Sequence, residues 1–312
     1  MLPRQTADSV LMVRPAAFGF NADTAPTNRL QRADRVTAGE AARRALAEFD
    51  ALAHALDGEG VRVCVTEDPP SPAKPDAAFP NNWVSFHEDG TVVLYPLLAA
   101  NRRPERREEI VEAVASRLGF RVRRCVDLTA HESAGRYLEG TGSLVIDHVN
   151  RIAYACLSPR TDAAVAQEWG AALGCEIVPF AAVDAQGAAY YHTNVVLSLG
   201  SAFAVVCLEA IATPDRERVL GTLVAGRREV IAIDRRAVTG FAANLLELAS
   251  WDEALGDTRV LVMSAAARAA LQAADFARLA GCVDSVLAVP VPTIEALGGG
   301  SVRCMLAEVF LP

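Results

Sequence analysis

Apolar positions recur along this chain at two spacings, helical and strand-like, and the two alternate in a fixed order. Five times an amphipathic helical stretch ends near a glycine and passes into a short apolar run. The first is Glu40 to Leu56, with Leu46, Phe49, Leu52 and Leu56 on one stripe, followed by Gly60 and Val61–Val65. Pro104 to Leu118 comes next, with Ile110, Val114 and Leu118, then Gly119 and a run from Phe120. Thr161 to Leu173 leads through Gly174 to Cys175–Val178. The fourth opens on Thr213-Pro214-Asp215, an N-cap followed by proline in the first turn, and closes at Gly226 before Val230–Ile233. The fifth is Ala265 to Leu279, then Gly281 and Val286–Val289.

Further strand-like runs lie between these units: Val10–Val13, Trp83–Phe86 with Thr91–Tyr95, Leu144–Ile146 with Ile152–Cys156, Val195–Leu199 with Ala204–Leu208, and Arg303–Phe310. The repeating unit is therefore strand, strand, helix, strand. A doubly wound α/β sheet would alternate helix and strand singly, whereas two or three strands separate successive helices here. One such unit cannot bury both faces of its sheet, but five packed side by side around an axis can. The pattern predicts an α/β fold of five repeated units forming one domain over residues 1–312. The proline-rich segment Asp68 to Asp76 is expected to be a surface loop.

Composition narrows the function. No apolar run reaches the ~18 residues that cross a bilayer, so no membrane role is expected. The net charge of −8 lacks the basic footprint that nucleic acid demands. Met1-Leu2-Pro3-Arg4-Gln5 does not resemble a secretory leader. Seven cysteines, an odd number without a CxxC pair, point to a reducing, cytoplasmic setting rather than to disulfides or zinc. The five histidines form no HxxxH or HExxH pattern, so neither a metal nor a cofactor is expected. His54, His87 and His148 are expected to be solvated, and the six cysteines other than Cys304 to be core residues. Oligomeric state is left open, with self-association allowed.

Five segments carry candidate chemistry. Gly298-Gly299-Gly300-Ser301-Val302-Arg303-Cys304 sets a cysteine behind glycines that let backbone approach a ligand, and beside a cation that would favour a thiolate. His192 stands before an apolar strand with polar Thr193 and Asn194 after it, as either a structural or a catalytic residue. Glu139, followed by Gly140-Thr141-Gly142, is either part of a turn or a carboxylate able to orient a histidine or a substrate nitrogen. In Phe79-Pro80-Asn81-Asn82 an asparagine could recognise a neutral amide, or both could simply make a turn. In Ser158-Pro159-Arg160-Thr161 the arginine could grip a carboxylate, or Thr161 could merely cap the third helix.

Together these segments resemble the guanidine-modifying enzyme superfamily. It comprises arginine deiminases, dimethylarginine hydrolases and amidinotransferases, built on the five-bladed α/β propeller called the pentein fold. The resemblance covers almost the whole chain in motif order. It implies that Cys304 is the nucleophile, His192 the acid and base, Glu139 the carboxylate of the acidic motif, and Arg160 the arginine of the Ser-x-Arg-Thr motif that binds a substrate carboxylate.

Two departures bear on the substrate. Deiminases hold the guanidinium between two aspartates, one in a Phe-x-Arg-Asp motif and one two residues after the histidine. Here those positions are Asn82, with Asn81 if the register slips by one, and Asn194. Two amides leave a buried cation uncompensated but suit a neutral ureido head, which both donates and accepts. The expected substrate is therefore a small ureido or guanidino amino acid, L-citrulline foremost, as in the citrulline-utilisation hydrolase subgroup that the chain also resembles. Arginine deiminase or dimethylarginine hydrolase activity is the alternative among enzymes, and a catalytically silent pentein binding protein is the non-enzyme alternative. A third departure, Thr141-Gly142 where the family has Gly-Asp, removes one polar contact without a visible replacement.

Overall fold

The structure, a computed structural model, describes residues 4–33 and 36–310. Met1–Pro3, where the reading for a leader began, lie outside them. Its strands form five sheets of three. In sequence order from the second, these are Val84–Phe86, Thr91–Leu94 and Arg124–Asp127; Leu144–Asp147, Ile152–Cys156 and Glu176–Phe180; Leu197–Leu199, Phe203–Val206 and Glu229–Ala232; and Leu246–Asp252, Gly256–Ser264 and Ser285–Val289. The first sheet joins the two ends of the chain. Ser9–Arg14 pairs in parallel with Arg62–Glu67 and antiparallel with Ala307–Glu308. In each of the other four the first two strands are antiparallel and the last two parallel.

A parallel pair needs a crossover, and a helix supplies it in every unit: Ala38–Gly58, Glu108–Leu118, Ala163–Leu173, Thr213–Ala225, and Ala265–Ala270 with Ala273–Ala280. The first is typical. The Thr37 side chain accepts from the Glu40 amide, and Ala41, Ala45, Phe49, Leu52 and Leu56 form its buried stripe. Units pack edge to edge. Phe86 bridges Val309, Trp169 Nε1 donates to the Tyr95 hydroxyl (2.8 Å), Leu197–Leu199 lies between Leu144–Asp147 and Leu246–Asp252, and the Ala249 amide donates to Ala7 (2.9 Å). The core lies between neighbouring units, in clusters that draw residues from adjacent sheets.

The expected units are present, with informative differences. The longest hairpin, Leu246–Asp252 with Gly256–Ser264, was not anticipated. Its first strand carries an acid, Glu247, that is buried and accepts from the Ser201 hydroxyl (2.6 Å). The fifth helix is split because Leu271 turns out of it to bury its side chain. Pro104 lies in a separate 3-10 turn, Ala100–Glu105, that buries Arg102 and Glu105. Most of Arg303–Phe310 is not strand: Cys304 sits in the 3-10 turn Val302–Met305. The proline-rich loop is exposed only in its middle, since Asp68, Lys74 and Asp76 are buried. Of the cysteines expected in the core, Cys125 is exposed, and Cys175 and Cys282 are half-buried.

One feature of the repeat positions the site. A tight turn precedes the first strand of each unit: Pro80–Asn82, Gly140–Ser143, Thr193–Val195, the turn at 241–243, and Val302–Met305. These turns meet in a ring. Gly140 lies so close to Asn81 that a Cβ there would fall 2.0 Å from its carbonyl oxygen. Asn194 Nδ2 donates to Thr141 O (3.3 Å), and Asn244 Nδ2 to Asn194 O (3.1 Å). The Cys304 turn packs on the Asn82 turn and closes the circle.

His87 and His148 are half-buried rather than solvated. Burial pushes the His87 ring down to about 4 and that of His148 to about 3. Both rings should therefore keep neutral-form carbon shifts in NMR titrations down to pH 5. A midpoint near 6.5 for either would contradict this placement.

Candidate active site

Cys304 is buried, and two asparagine amides meet its sulfur. Asn244 Nδ2 lies 3.3 Å from Sγ and its Oδ1 3.7 Å; Asn194 Nδ2 lies 3.7 Å away and its Oδ1 4.0 Å. Arg303 does not supply the cation that the sequence suggested. Its guanidinium turns to Glu308 (3.0 Å) and to the Leu306 carbonyl (3.1 Å). The polar groups at the sulfur are therefore uncharged amides.

His192 and Glu139 form a buried pair, with Nε2 and Oε2 2.8 Å apart. Burial opposes the charge on Glu139. Arg160 (3.3 Å), the hydrogen bond from His192 and Arg102 (3.9 Å) more than offset it and hold the carboxyl well below its ordinary range. An ionised Glu139 can only accept, so Nε2 donates. Burial pushes the His192 ring down to about 4 despite the pull of Glu139, so at neutral pH the ring is uncharged and Nδ1 is free to take a proton.

Cys304, His192, Asn82, Arg160 and Arg102 border one narrow cavity, and Asp76 borders it too. Asn82 is fixed from both sides, its Oδ1 accepting from Arg102 (2.9 Å) and its Nδ2 donating to Asn81 Oδ1 (2.9 Å). Asn81 is fully buried behind it, and its Nδ2 has no partner. Arg102 forms a two-pronged pair with Glu105 (2.9 and 2.8 Å), and burial lifts the Glu105 carboxyl to about 7. Each arginine thus has its own acid: Glu105 for Arg102, Glu139 for Arg160.

Asp76 is the carboxyl left over. Its Oδ2 accepts from Asn21 Nδ2 (2.7 Å) and lies 3.7 Å from Arg102, while its Oδ1 is buried without a partner among the described residues. Burial raises its pKa against the pull of Arg102. Asp76 corrects the electrostatic expectation drawn from the sequence: a cation in this cavity would not meet neutral dipoles alone.

The segment from Asn21 to Gln31 closes over the cavity. Asn28 Nδ2 donates to Gly298 O (3.1 Å), and Gln31 Nε2 to Leu297 O (2.8 Å). Arg160 is engaged there as well, donating to Thr27 Oγ1 (2.9 Å) and Thr24 O (2.8 Å) while its guanidinium stacks over Tyr191. Among the described residues no group of three or more His, Cys, Asp or Glu has the arrangement of a metal site.

All seven residues singled out from the sequence thus converge, with Asn82 rather than Asn81 on the wall. Asn244, Arg102, Glu105 and Asp76 were missed. Asn244 had a signal, since it occupies the turn before the first strand of its unit, the place that Asn82, Asn194 and Cys304 hold in theirs. Gly142 is where the ring closes on the site's own side chains: a Cβ there would lie 2.6 Å from His192 Nδ1 and 2.7 Å from Asn82 Nδ2. Gly142→Ala should shift both side chains and lower turnover by about 100-fold, as ångström-scale misplacement does, while circular dichroism stays native. Turnover within twofold of the original would show that the close approach does not matter.

The family model for N,N dimethylarginine dimethylhydrolase, eukaryotic, matches residues 14–311. No curated protein matches by sequence. Among solved structures, the apo form of ArgZ, an arginine dihydrolase of the cyanobacterial ornithine–ammonia cycle, superposes with a TM-score of 0.73 at 17% identity. That match covers 97% of this chain and 41% of that one, so the chain spans less than half of the ArgZ length. The substrate-bound N-terminal domain of ArgZ gives 0.72 at 18%, covering 97% and 99%. A dimethylarginine dimethylaminohydrolase adduct with S-methyl-L-thiocitrulline gives 0.63 at 18%, also covering 97% and 99%. At such identities the likeness shows the fold, the five-unit pentein architecture. The family match shows more: the chain belongs to the dimethylarginine dimethylhydrolase family, C–N hydrolases that act on amidino groups.

Proposed function

We propose that this chain hydrolyses the ureido head of L-citrulline to ornithine, CO2 and ammonia, with Cys304 as nucleophile, His192 as proton carrier and Glu139 as the group that orients it. The observation that carries this reading is the set of uncharged amides, Asn82, Asn194 and Asn244, beside the sulfur and on the cavity wall. The raised Asp76 carboxyl adds to it, because in protonated form its unpartnered Oδ1 can donate to a ureido oxygen. In this reading Arg160 binds the α-carboxylate, exchanging a bond to the closing segment for one to substrate.

Neutral His192 takes the thiol proton as sulfur attacks the ureido carbon. It returns that proton to the leaving nitrogen, which departs as ammonia. Water then attacks the S-carbamoyl carbon and gives one proton to His192. The C–S bond breaks, the thiolate recovers that proton, and the carbamate loses CO2 to leave the ornithine amine.

A second reading, hydrolysis of the guanidinium of arginine, rests on the same carboxyl in its other state. An ionised Asp76 would pair with a cationic head, and the arginine dihydrolase described for ArgZ supports that possibility. Turnover of L-citrulline, L-arginine and N,N-dimethylarginine, followed by ammonia and amine release, separates the readings. Citrulline should have the highest kcat/KM, and Cys304→Ala should abolish turnover in a folded protein. Asp76→Asn, which mimics the protonated carboxyl, should keep citrulline turnover within about threefold and should not gain arginine turnover. If arginine is the better substrate and Asp76→Asn destroys its turnover, the second reading holds. Turnover of any of the three by Cys304→Ala would remove the thiol from the mechanism.

A further inference from the structure

The chain has one lysine among its 30 basic residues, and the other 29 are arginine. That lysine, Lys74, is not at the surface. Its side chain is 1% exposed, as is that of its partner Asp68, and the two are 3.1 Å apart. Its ammonium also donates to the carbonyls of Pro69 (3.0 Å) and Pro72 (2.8 Å). Three donors thus meet three acceptors around one compact charge, which a planar guanidinium fork cannot reproduce. Burying an ion pair is costly and seldom stabilises a fold better than apolar residues would, so a pair retained here calls for a reason other than stability.

The reason lies two residues further on. A series of turns runs from Lys74 to the cavity: the Ala77 amide donates to Lys74 O (3.2 Å), the Phe79 amide to Asp76 O (3.0 Å), and the Trp83 amide to Pro80 O (3.1 Å). These turns carry Asp76, Phe79 and Asn82 to the cavity wall. The exposed middle of the loop, Pro70 to Ala73, is spanned from inside by the Lys74 ammonium, which ties its start to its end.

We infer that Lys74 is a positioning residue for substrate recognition: by clamping the Asp68–Asp76 loop it aims the unpartnered Asp76 oxygen at the substrate head. The inference rests on the proposed function above, and on Asp76 facing that head. Lys74 touches no reacting atom, so its loss should weaken substrate binding and leave the thiol intact.

The test uses the full chain and two kinds of variant. Lys74→Met with Asp68→Asn removes both buried charges together, which avoids stranding either. Lys74→Arg keeps the charge but not the three-way geometry, and serves if the double variant does not fold. Thermal midpoints check the fold, and the rate of Cys304 alkylation by iodoacetamide checks the nucleophile. KM and kcat are measured with whichever of L-citrulline and L-arginine the original chain turns over, with Asp76→Ala in parallel. Both Lys74 variants should raise KM tenfold or more, as Asp76→Ala does, with kcat changed less than threefold and alkylation within twofold. An unchanged KM in a folded Lys74 variant, or a fall in kcat alone, overturns the inference. If Asp76→Ala raises KM while the Lys74 variants do not, only the role of Lys74 fails. If the original chain turns over neither substrate, or Asp76→Ala changes nothing, the reading of the cavity fails and this inference with it.

Discussion

A carboxylate with no solvent must be held by other charges, and Glu139 is held by three groups at one oxygen. Arg160, His192 and Arg102 all converge on Oε2. Everything polar in the cavity is arranged around that point. Glu139 fixes the tautomer and orientation of His192, and it occupies Arg160, which reaches on to the closing segment. Through Arg102 it joins Asn82, Glu105 and Asp76. Removing one of its charged members, Glu139, Arg160 or Arg102, would leave an uncompensated buried charge, at a cost of about 3–5 kcal/mol.

The fold brings these distant residues together by repetition. Each unit opens with a tight turn, and five turns packed in a ring put five short segments within a side chain's reach of the axis. Asn82, Asn194, Asn244 and Cys304 are far apart in the chain yet hold equivalent places just before the first strand of their units, and Glu139 stands at the start of the remaining turn. The glycines of the Glu139 turn are needed because neighbouring turns leave no room for Cβ atoms. The Cys304 thiol and the chain-closing strand are almost adjacent, so completing the first sheet with Ala307–Glu308 also seats Cys304.

The helices and most strands were legible because they are amphipathic over several turns or residues, and the glycines that stop them are local signals. The hairpin at 246–264 was not, because its middle, Asp252 to Arg259, is rich in charged and polar residues and reads as a loop; with the strand missed, the turn before it and Asn244 were missed as well. Cys304, His192, Glu139 and Arg160 were legible through motifs in order. Asp76 and Arg102 were not, because one sits in a proline-rich stretch that looks like surface and the other in an arginine-rich stretch that looks the same. Their burial depends on partners remote in sequence, Asn21 for Asp76 and Asn82 for Arg102. The charge balance of the cavity could not be read without them.

That balance is what decides the substrate. Arg102 and Arg160 meet three acids there, Glu105, Glu139 and Asp76, and burial raises the pKa of Asp76 against the pull of Arg102, so the protonation state of Asp76 sets whether an uncharged or a cationic head is accepted. The most direct measurement is calorimetric binding of L-citrulline and L-arginine to the Cys304→Ala protein at neutral pH, with turnover removed. Citrulline should bind at least tenfold more tightly, a difference of about 1.4 kcal/mol. Tighter binding of arginine would contradict the neutral-cavity reading and show that Asp76 meets its ligand ionised.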